Sequence, residues 1–412
     1  MTDLVEGDRL PLTIGAVAHG GHCVARIGGP HGQVVFVRHT LPGEEVVAEI
    51  TEVHRGYLRA DAVEITVPSP DRVTPPCPWA GPGRCGGCDL QHVAPSAQRD
   101  WKTAVVREQL RRLAGCTEHE LDALGVRVEA LPGGELGWRT RVRYTVDAGD
   151  RAGLLKHRSH EVVAIDRCRI AHPAIQSLDV TGRAWPASDA VAAVATTAGD
   201  VTVLDSAPVA ADLLDEVEGT PLTGPETVRE RAAGREWTIP AAGFWQIHPA
   251  APDTLVGAVL DLLDPQPGET SWDLYGGAGL FAAALAGRTA GARVTLVESA
   301  PAAVAAARAN LADLPQVEAV AARVDSALRR RRVTGPVDLV VLDPPRTGAG
   351  APVVEGIVAA GPRAVAYVAC DPAALARDVG TFRDAGWRLR ALRAYDCFPM
   401  TQHVECVALL TR

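Results

Sequence analysis

Cys370 stands in the stretch "VAYVACDPAALARDV", after a run of mostly apolar residues and directly before Asp-Pro and a helical pattern. A packing thiol could sit anywhere in such a run. At the carboxyl end of a buried strand, however, a side chain faces the crevice where open α/β sheets bind ligands. "LDPPRTG" ends another apolar run, and its two prolines make a rigid turn that cannot continue a ladder, fixing Asp343 at the same edge. "DLYGGAG", from Asp273 to Gly279 with Tyr275 and Gly277 inside it, reads as a strand-to-helix turn. Its glycines let the backbone approach a ligand, and the helix N-terminus favours polar or anionic groups. The next strand ends in Glu298, nineteen residues beyond Gly279, where a carboxylate can accept hydrogen bonds from ribose hydroxyls. The loop lacks the GxGxxG spacing of a dinucleotide site, and Asp273 would repel a phosphate. An adenosine carrying an amino acid in place of phosphates fits better, and that ligand is S-adenosylmethionine.

A second constellation lies upstream. "CPWAGPGRCGGCDLQH" spaces Cys77, Cys85 and Cys88 as C-x7-C-x2-C, and Cys168 follows in "IDRCRI". Four thiolates can hold zinc or an iron–sulfur cluster. One tight pair with two distant ligands is less typical of zinc, and the Gly86-Gly87 turn lets backbone amides point at cluster sulfurs. Cys116 is the rival fourth ligand. Cys397 and Cys406 read as packing thiols. Nine cysteines make an odd number, and in a reducing compartment they are ligands, catalytic thiols or packing rather than disulfides.

The elements that must position these residues are legible in outline. Residues 8 to 66 form short segments with Gly and Pro turns, which predict a small closed β-barrel. "VPSPDRVTPPCP" is a linker, and Ser96 to Ala114 is helical with Ser96 as N-cap. Residues 137 to 240 read as β-rich with Ala-rich helical stretches. From Phe244 onward strands and helices alternate, which predicts a mainly parallel sheet covered on both faces. Its last two strands, "WRLRALRAYD" and "HVECVALLT", lack an intervening helix and should close as an antiparallel hairpin at one edge. The expected domains are 1–68, 69–240 and 241–412. No apolar run reaches eighteen residues and the first ten carry acidic residues, so neither a membrane span nor a secretory signal is expected, and a cytoplasmic monomer is. A net charge of −9 does not suggest a nucleic-acid binder. Locally, Trp138 to Ile170 holds eight Lys/Arg against four Asp/Glu, and Arg329 to Arg332 form a run of four. Such runs are more often solvated faces than polyanion sites.

Taken together, "DLYGGAG", "DPPRTG", "YVACDP" and "DCFPMTQHVECVALL" resemble the RNA uracil-5-methyltransferases over most of the chain. The first 68 residues resemble the RNA-binding TRAM domain. The resemblance implies a multidomain α/β protein: an OB-like TRAM barrel, a central α+β region with a metal cluster, and a Rossmann-like class I methyltransferase domain. It implies Cys370 as nucleophile towards carbon 6 of uracil and Glu405, in "HVECV", as the base that removes the carbon-5 proton. The helix beginning at Pro372 offers its N-terminal dipole to the thiolate. For S-adenosylmethionine it implies Gln246, Asp273, Tyr275, Gly277, Glu298 and Asp343, and for a 4Fe-4S cluster Cys77, Cys85, Cys88 and Cys168. RNA is the implied partner. A TRAM barrel with a cysteine cluster resembles the ribosomal-RNA branch, so 23S ribosomal RNA is expected ahead of transfer RNA. The family's Ser-Cys-Asn-Pro is here Ala369-Cys370-Asp371-Pro372. The extra carboxylate should raise the thiol pKa unless Asp371 caps the helix. Two other classes stay open: a non-catalytic RNA-binding or RNA-folding protein that kept the cofactor fold, and a radical S-adenosylmethionine enzyme. The latter would carry C-x3-C-x2-C in a different fold.

Overall fold

The computed structural model describes residues 4–207 and 219–412. The N-terminal strands are β1 (Arg9–Thr13), β2 (Val17–Ala18), β3 (His22–Ile27), β4 (Gln33–Arg38), β5 (Glu45–Val53) and β6 (Tyr57–Val67). They form one sheet in the order β1-β5-β6-β4-β3-β2. Alternation sets Val46, Ala48 and Ile50 of β5 inward, against Val35, Val37, Leu58 and Ala60. The chain leaving β1 turns at Gly15, whose N–H donates to Val24 O at 2.8 Å, so that β2 reaches β3. A Cβ on Gly15 would lie 2.8 Å from that oxygen. The two ends of the sheet are therefore consecutive in sequence but not paired with each other. The expected closed barrel is a strongly curved half-barrel.

Helix α1 (Pro95–Leu113) has Ala94 as N-cap, not Ser96. Pro95 takes the first helical position, where its fixed φ suits the helix and its missing N–H costs nothing, and Ser96 falls inside the first turn. Helix α2 (Glu118–Leu124) opens on a Thr117–Glu120 capping box, and β7 (Val128–Ala130) follows. The central sheet contains β8 (Arg141–Val146), β9 (Ala152–Leu155), β10 (Val162–Val163), β11 (Ala190–Ala195), β12 (Val201–Ser206) and β13 (Thr220–Thr223), with α3 (Pro173–Gln176) between β10 and β11. Their order is β10-β9-β8-β11-β12-β13. The Ala-rich stretch "AVAAVA" is strand β11, not helix. All six residues are buried, because both faces of the strand are covered, and alternation vanishes. The other Ala-rich stretch, near 208–218, lies outside the described residues. A hairpin of β14 (Thr227–Ala232) and β15 (Arg235–Pro240) leads to the last region.

There α4 (Ala251–Leu263), β16 (Ser271–Leu274), α5 (Leu280–Ala286), β17 (Val294–Glu298), α6 (Pro301–Asn310), β18 (Val317–Ala321), α7 (Val324–Arg329), β19 (Leu339–Leu342), α8 (Ala351–Ala360), β20 (Ala364–Ala369), α9 (Pro372–Asp384), β21 (Arg388–Asp396) and β22 (Glu405–Thr411) follow one another. The sheet order is β18-β17-β16-β19-β20-β22-β21-β7. β16 to β20 run parallel, and β22 is antiparallel to both β20 and β21. The hairpin forms as expected but is not the rim: β7 pairs in parallel with β21 and covers it. One face of the sheet packs Leu255, Val259, Phe281 and Leu285; the other packs Val106 and Leu110 of α1 with Val353, Leu375 and Phe382. Among the described residues no helix is long and apolar enough to cross a membrane.

Candidate functional site

The strand register builds one rim. Leu274 pairs with Leu342, so Tyr275 and Asp343, the next residues, leave the sheet side by side. Ala369 pairs with Cys406, so one further step sets Cys370 opposite Glu405. Glu405 reaches this rim because β22 runs antiparallel: its amino end lies where the parallel strands have their carboxyl ends. Gln246 approaches from the loop before α4, its Nε2 donating to Asp343 Oδ2 at 3.4 Å.

On the other side of Asp343 lies the glycine loop. Asp273 is fully buried, and its Oδ2 accepts from Ala282 N at 2.8 Å, which ties the strand end to α5. Its Oδ1 is without a partner. Tyr275 takes φ +63, and Gly279, at φ +100, could not carry a Cβ, which would fall 2.6 Å from Leu311 Cδ1. Glu298 Oε2 accepts from Gly277 N at 3.1 Å, and Oε1 accepts from Ser299 N and Ala300 N. Asp273, Tyr275, Gly277, Glu298, Asp343 and Gln246 are thus brought to one edge.

The charges at this rim oppose one another. Burial pushes the Asp273 carboxyl up to about 7, with the Ala282 amide working against the shift and Asp343 and Glu298 adding to it. Burial likewise raises Asp343. Glu405 is 2 % exposed, its Oε1 has no partner, and burial followed by the charge of Asp343 lifts it well above the carboxylate range, with Arg346 opposing. The half-buried Cys370 thiol is raised by burial, then Glu405 and Asp343, with Arg346 opposing and Asp371 adding a last contribution. Asp371 does cap α9: Oδ1 accepts from Ala374 N at 2.7 Å.

Cys77, Cys85, Cys88 and Cys168 line one wall of a cleft of about 690 Å³ between the half-barrel, the central sheet and the rim. Burial raises Cys85 to about 12 and Cys88 and Cys168 as well, and each of the three is raised further by neighbouring thiols of this set. Gly87 N donates to Cys85 Sγ at 3.5 Å. Cys116 is elsewhere, against Arg383, whose Nη1 is 3.7 Å from its sulfur. Cys397 and Cys406 are buried in the core. Among the described residues no three His, Cys, Asp or Glu side chains are placed to hold a single metal ion. The donor set is four thiols, Cys77 and Cys168 buried and Cys85 and Cys88 half-buried, with the Gly87 amide beside Cys85, a chemistry that sulfur-rich clusters use.

Seven arginines and one lysine line the same cleft against one carboxylate, Asp89. Six of them, Arg139, Arg143, Lys156, Arg158, Arg167 and Arg169, come from the basic stretch 138–170. The other two cations of that stretch do not line the cleft: Arg141 pairs with Glu230 and Arg151 with Asp147, while of the cleft cations Lys156 pairs with Glu161, Arg158 with Glu52, and Arg167 and Arg169 with Asp166. The run Arg329–Arg332 lies away from the cleft, with Arg332 donating to Ala321 O. Sequence reasoning missed three contributors: His19, Arg346 and the loop 397–404. That loop is fixed by buried contacts. Lys102 Nζ donates to Asp396 Oδ1 at 2.5 Å and Phe398 O at 3.1 Å, and Asp89 Oδ2 accepts from Gln402 N at 3.2 Å. Arg346 lies inside the quoted "DPPRTG" and the loop inside the quoted "DCFPMTQHVECVALL", without a role assigned to either; His19 had no sequence signal.

Comparison with known proteins gives the site a context. The TRAM domain pattern matches residues 4–63, the methyltransferase small domain 252–366, and the tRNA (Uracil-5-)-methyltransferase pattern 333–412. An RNA methyltransferase of Streptomyces avermitilis is 50 % identical, covering 98 % of both chains. One of Corynebacterium efficiens is 37 % identical, covering 100 % of this chain and 96 % of its own. Among solved structures, the Pyrococcus abyssi tRNA (uracil-54, C5)-methyltransferase in complex with S-adenosyl-L-homocysteine shares the fold with TM-score 0.70, at 23 % identity over 98 % of this chain and all of that one.

Proposed function

Since the chain belongs to the RNA uracil-5-methyltransferase family, we propose that it methylates carbon 5 of a uridine through a covalent bond from Cys370. The observation that carries this reading is the placement of Cys370 opposite Glu405 on neighbouring strands, with Asp343 and Arg346 close enough to act on the thiol and Arg346 also lining the basic cleft. S-adenosylmethionine supplies an electrophilic methyl group. Cys370 Sγ adds to carbon 6, and the pair of electrons from the C5–C6 double bond passes to carbon 5 and its conjugated carbonyl. Carbon 5 takes the methyl group, the sulfonium's electron pair leaving with the homocysteine product. Glu405 removes the carbon-5 proton, the double bond re-forms and Sγ is expelled. Burial makes the Glu405 carboxylate a stronger base than an ordinary one. A covalent, nuclease-sensitive adduct of the protein with 5-fluorouridine RNA tests the chemistry. Absence of the adduct with both ribosomal and transfer RNA would favour the non-catalytic RNA-binding alternative.

Glu298, Gln246, Asp273, Tyr275, Gly277 and Asp343 hold the methyl donor in this reading. Glu298→Ala should weaken S-adenosylhomocysteine binding by roughly ten- to a hundredfold, the worth of a charge-assisted hydrogen bond. Titration calorimetry reads the affinity, and an unchanged value would remove Glu298 from the ribose site.

Cys77, Cys85, Cys88 and Cys168 are the proposed ligands of a 4Fe-4S cluster, which supplies no redox step to methyl transfer. Protein purified anaerobically should be brown and hold iron and sulfide, both lost on Cys85→Ser or Cys88→Ser. Stoichiometric zinc without iron would overturn this assignment. The half-barrel combined with the four thiols supports 23S ribosomal RNA as substrate. The shared fold of the Pyrococcus tRNA enzyme favours transfer RNA as the second reading. Mass mapping of both RNAs from a deletion strain separates them, by which of the two lacks a 5-methyluridine.

A further inference from the structure

His19 lies in the turn between β2 and β3 of the half-barrel, yet its Nε2 is 3.0 Å from Asp371 Oδ2, 352 residues away in sequence. The two side chains are 33 % and 25 % exposed. Asp371 already uses Oδ1 to cap α9 through Ala374 N. Asparagine would cap as well, without a charge. Burial works against ionisation of Asp371, but the His19 and Ala374 hydrogen bonds outweigh it and hold the carboxyl below its usual range. The chain therefore keeps an anion one residue from the thiol, where like charge opposes thiolate formation. An ionised carboxylate only accepts, so Nε2 is the donor of this contact.

Building on the assignment of Cys370 as nucleophile, we propose that His19 is a positioning residue for that thiol: the half-barrel lends an imidazole N–H that draws the Asp371 charge away from Sγ, so the reactivity of Cys370 depends on how the half-barrel is docked. The turn is held for the purpose. Gly20 and Gly21 have φ of +102 and +77, and a Cβ on Gly21 would fall 2.8 Å from Asp89 Cβ, so the turn is pressed onto the cysteine loop. Arg38 Nη2 reaches Asp89 Oδ1 at 3.4 Å from the same half-barrel. The other charged or titratable groups in the balance are Glu405, Asp343 and Arg346 around Cys370, and Arg377 of α9 and the half-buried His403 near Asp371.

Alkylation of Cys370 by iodoacetamide, followed as the modified peptide by mass spectrometry across a pH series, reads thiolate formation directly and needs no RNA. Four full-length proteins are compared: wild type, His19→Ala, Asp371→Asn and the double variant. In the wild-type background His19→Ala should move the labelling midpoint to higher pH and slow labelling at neutral pH by about three- to tenfold, because one unit of pKa is a tenfold change in thiolate fraction. In the Asp371→Asn background the same substitution should change nothing, since no charge remains to be offset. Superimposable wild-type and His19→Ala profiles, or an equal shift in both backgrounds, would overturn the proposal. If His19→Ala loses its fold, His19→Gln is read in the same two backgrounds against the same criterion. The nucleophile assignment fails by a different result, methyl transfer that survives Cys370→Ala.

Discussion

Cys370→Ala should abolish methyl transfer, a loss of roughly 10⁴- to 10⁶-fold, the size seen when an enzyme loses its nucleophile. The affinity for S-adenosylhomocysteine should stay within about twofold of wild type, because the thiol acts on the base rather than on the donor. The structure supports this separation. The residues proposed to hold the donor come from β16, β17, β19 and the loop before α4, whereas Cys370 leaves β20 and faces β22. Cys370 is half-buried and stands beside the carboxyl groups of Glu405, Asp343 and Asp371, so truncating it removes little packing and no loss of fold is expected. Label transfer from methyl-tritiated donor, measured beside calorimetric binding, checks both halves. Turnover retained in the alanine variant would sink the mechanism.

Glu405→Gln should separate the chemical steps. The amide keeps the shape of the side chain but cannot take the carbon-5 proton. Thiolate attack and methylation proceed, elimination does not, and the methylated base stays bonded to Cys370. General-base catalysis contributes about 10²–10⁴-fold, so the adduct should survive denaturing electrophoresis as a labelled, nuclease-sensitive band. The double variant with Cys370→Ala should lack it. Oε1 of Glu405 has no hydrogen-bond partner, so the substitution leaves no existing bond at that atom to break. If Glu405→Gln turns over at the wild-type rate without an adduct, the proton goes elsewhere, and Asp343 is the nearest alternative.

The parts of this site that end apolar runs were legible in the sequence. Glu298, Asp343 and Cys370 each close or follow a buried strand, Asp273 stands one residue before the end of another, and a strand's carboxyl end is where the crevice lies. Glu405 was placed by family resemblance alone, and its meaning is a matter of register: it opens an antiparallel strand, so its amino end joins the other strands' carboxyl ends. The cleft was half legible. The cations of 138–170 were countable, but Arg141 is bound to Glu230, 89 residues away, a partner that no spacing identified. His19 was invisible, since its partner is on another domain and histidine in a Gly-Gly turn carries no periodic signal. Strand β11 was misread because alanine composition speaks for helix unless both faces are known to be covered. The half-open N-terminal sheet was taken for a closed barrel, because strand spacing does not reveal whether the two end strands pair.

Strand β7 has a consequence for how the chain is made. It completes the C-terminal sheet on β21, yet 260 residues separate Val128 from Arg388. At a synthesis rate of about 5–20 residues per second, α1 and β7 leave the ribosome tens of seconds before their partner strand exists. Meanwhile Val106, Leu110 and Val128, all part of the later core, have only their own segment to pack on and lack the C-terminal strands and helices that complete their cover. The half-barrel and central sheet can fold as they emerge, while this segment waits as an apolar tether. Finishing the catalytic sheet thus becomes a long-range closure at the end of synthesis, and a chain cut short before β21 would keep that tether exposed to chaperones and proteases.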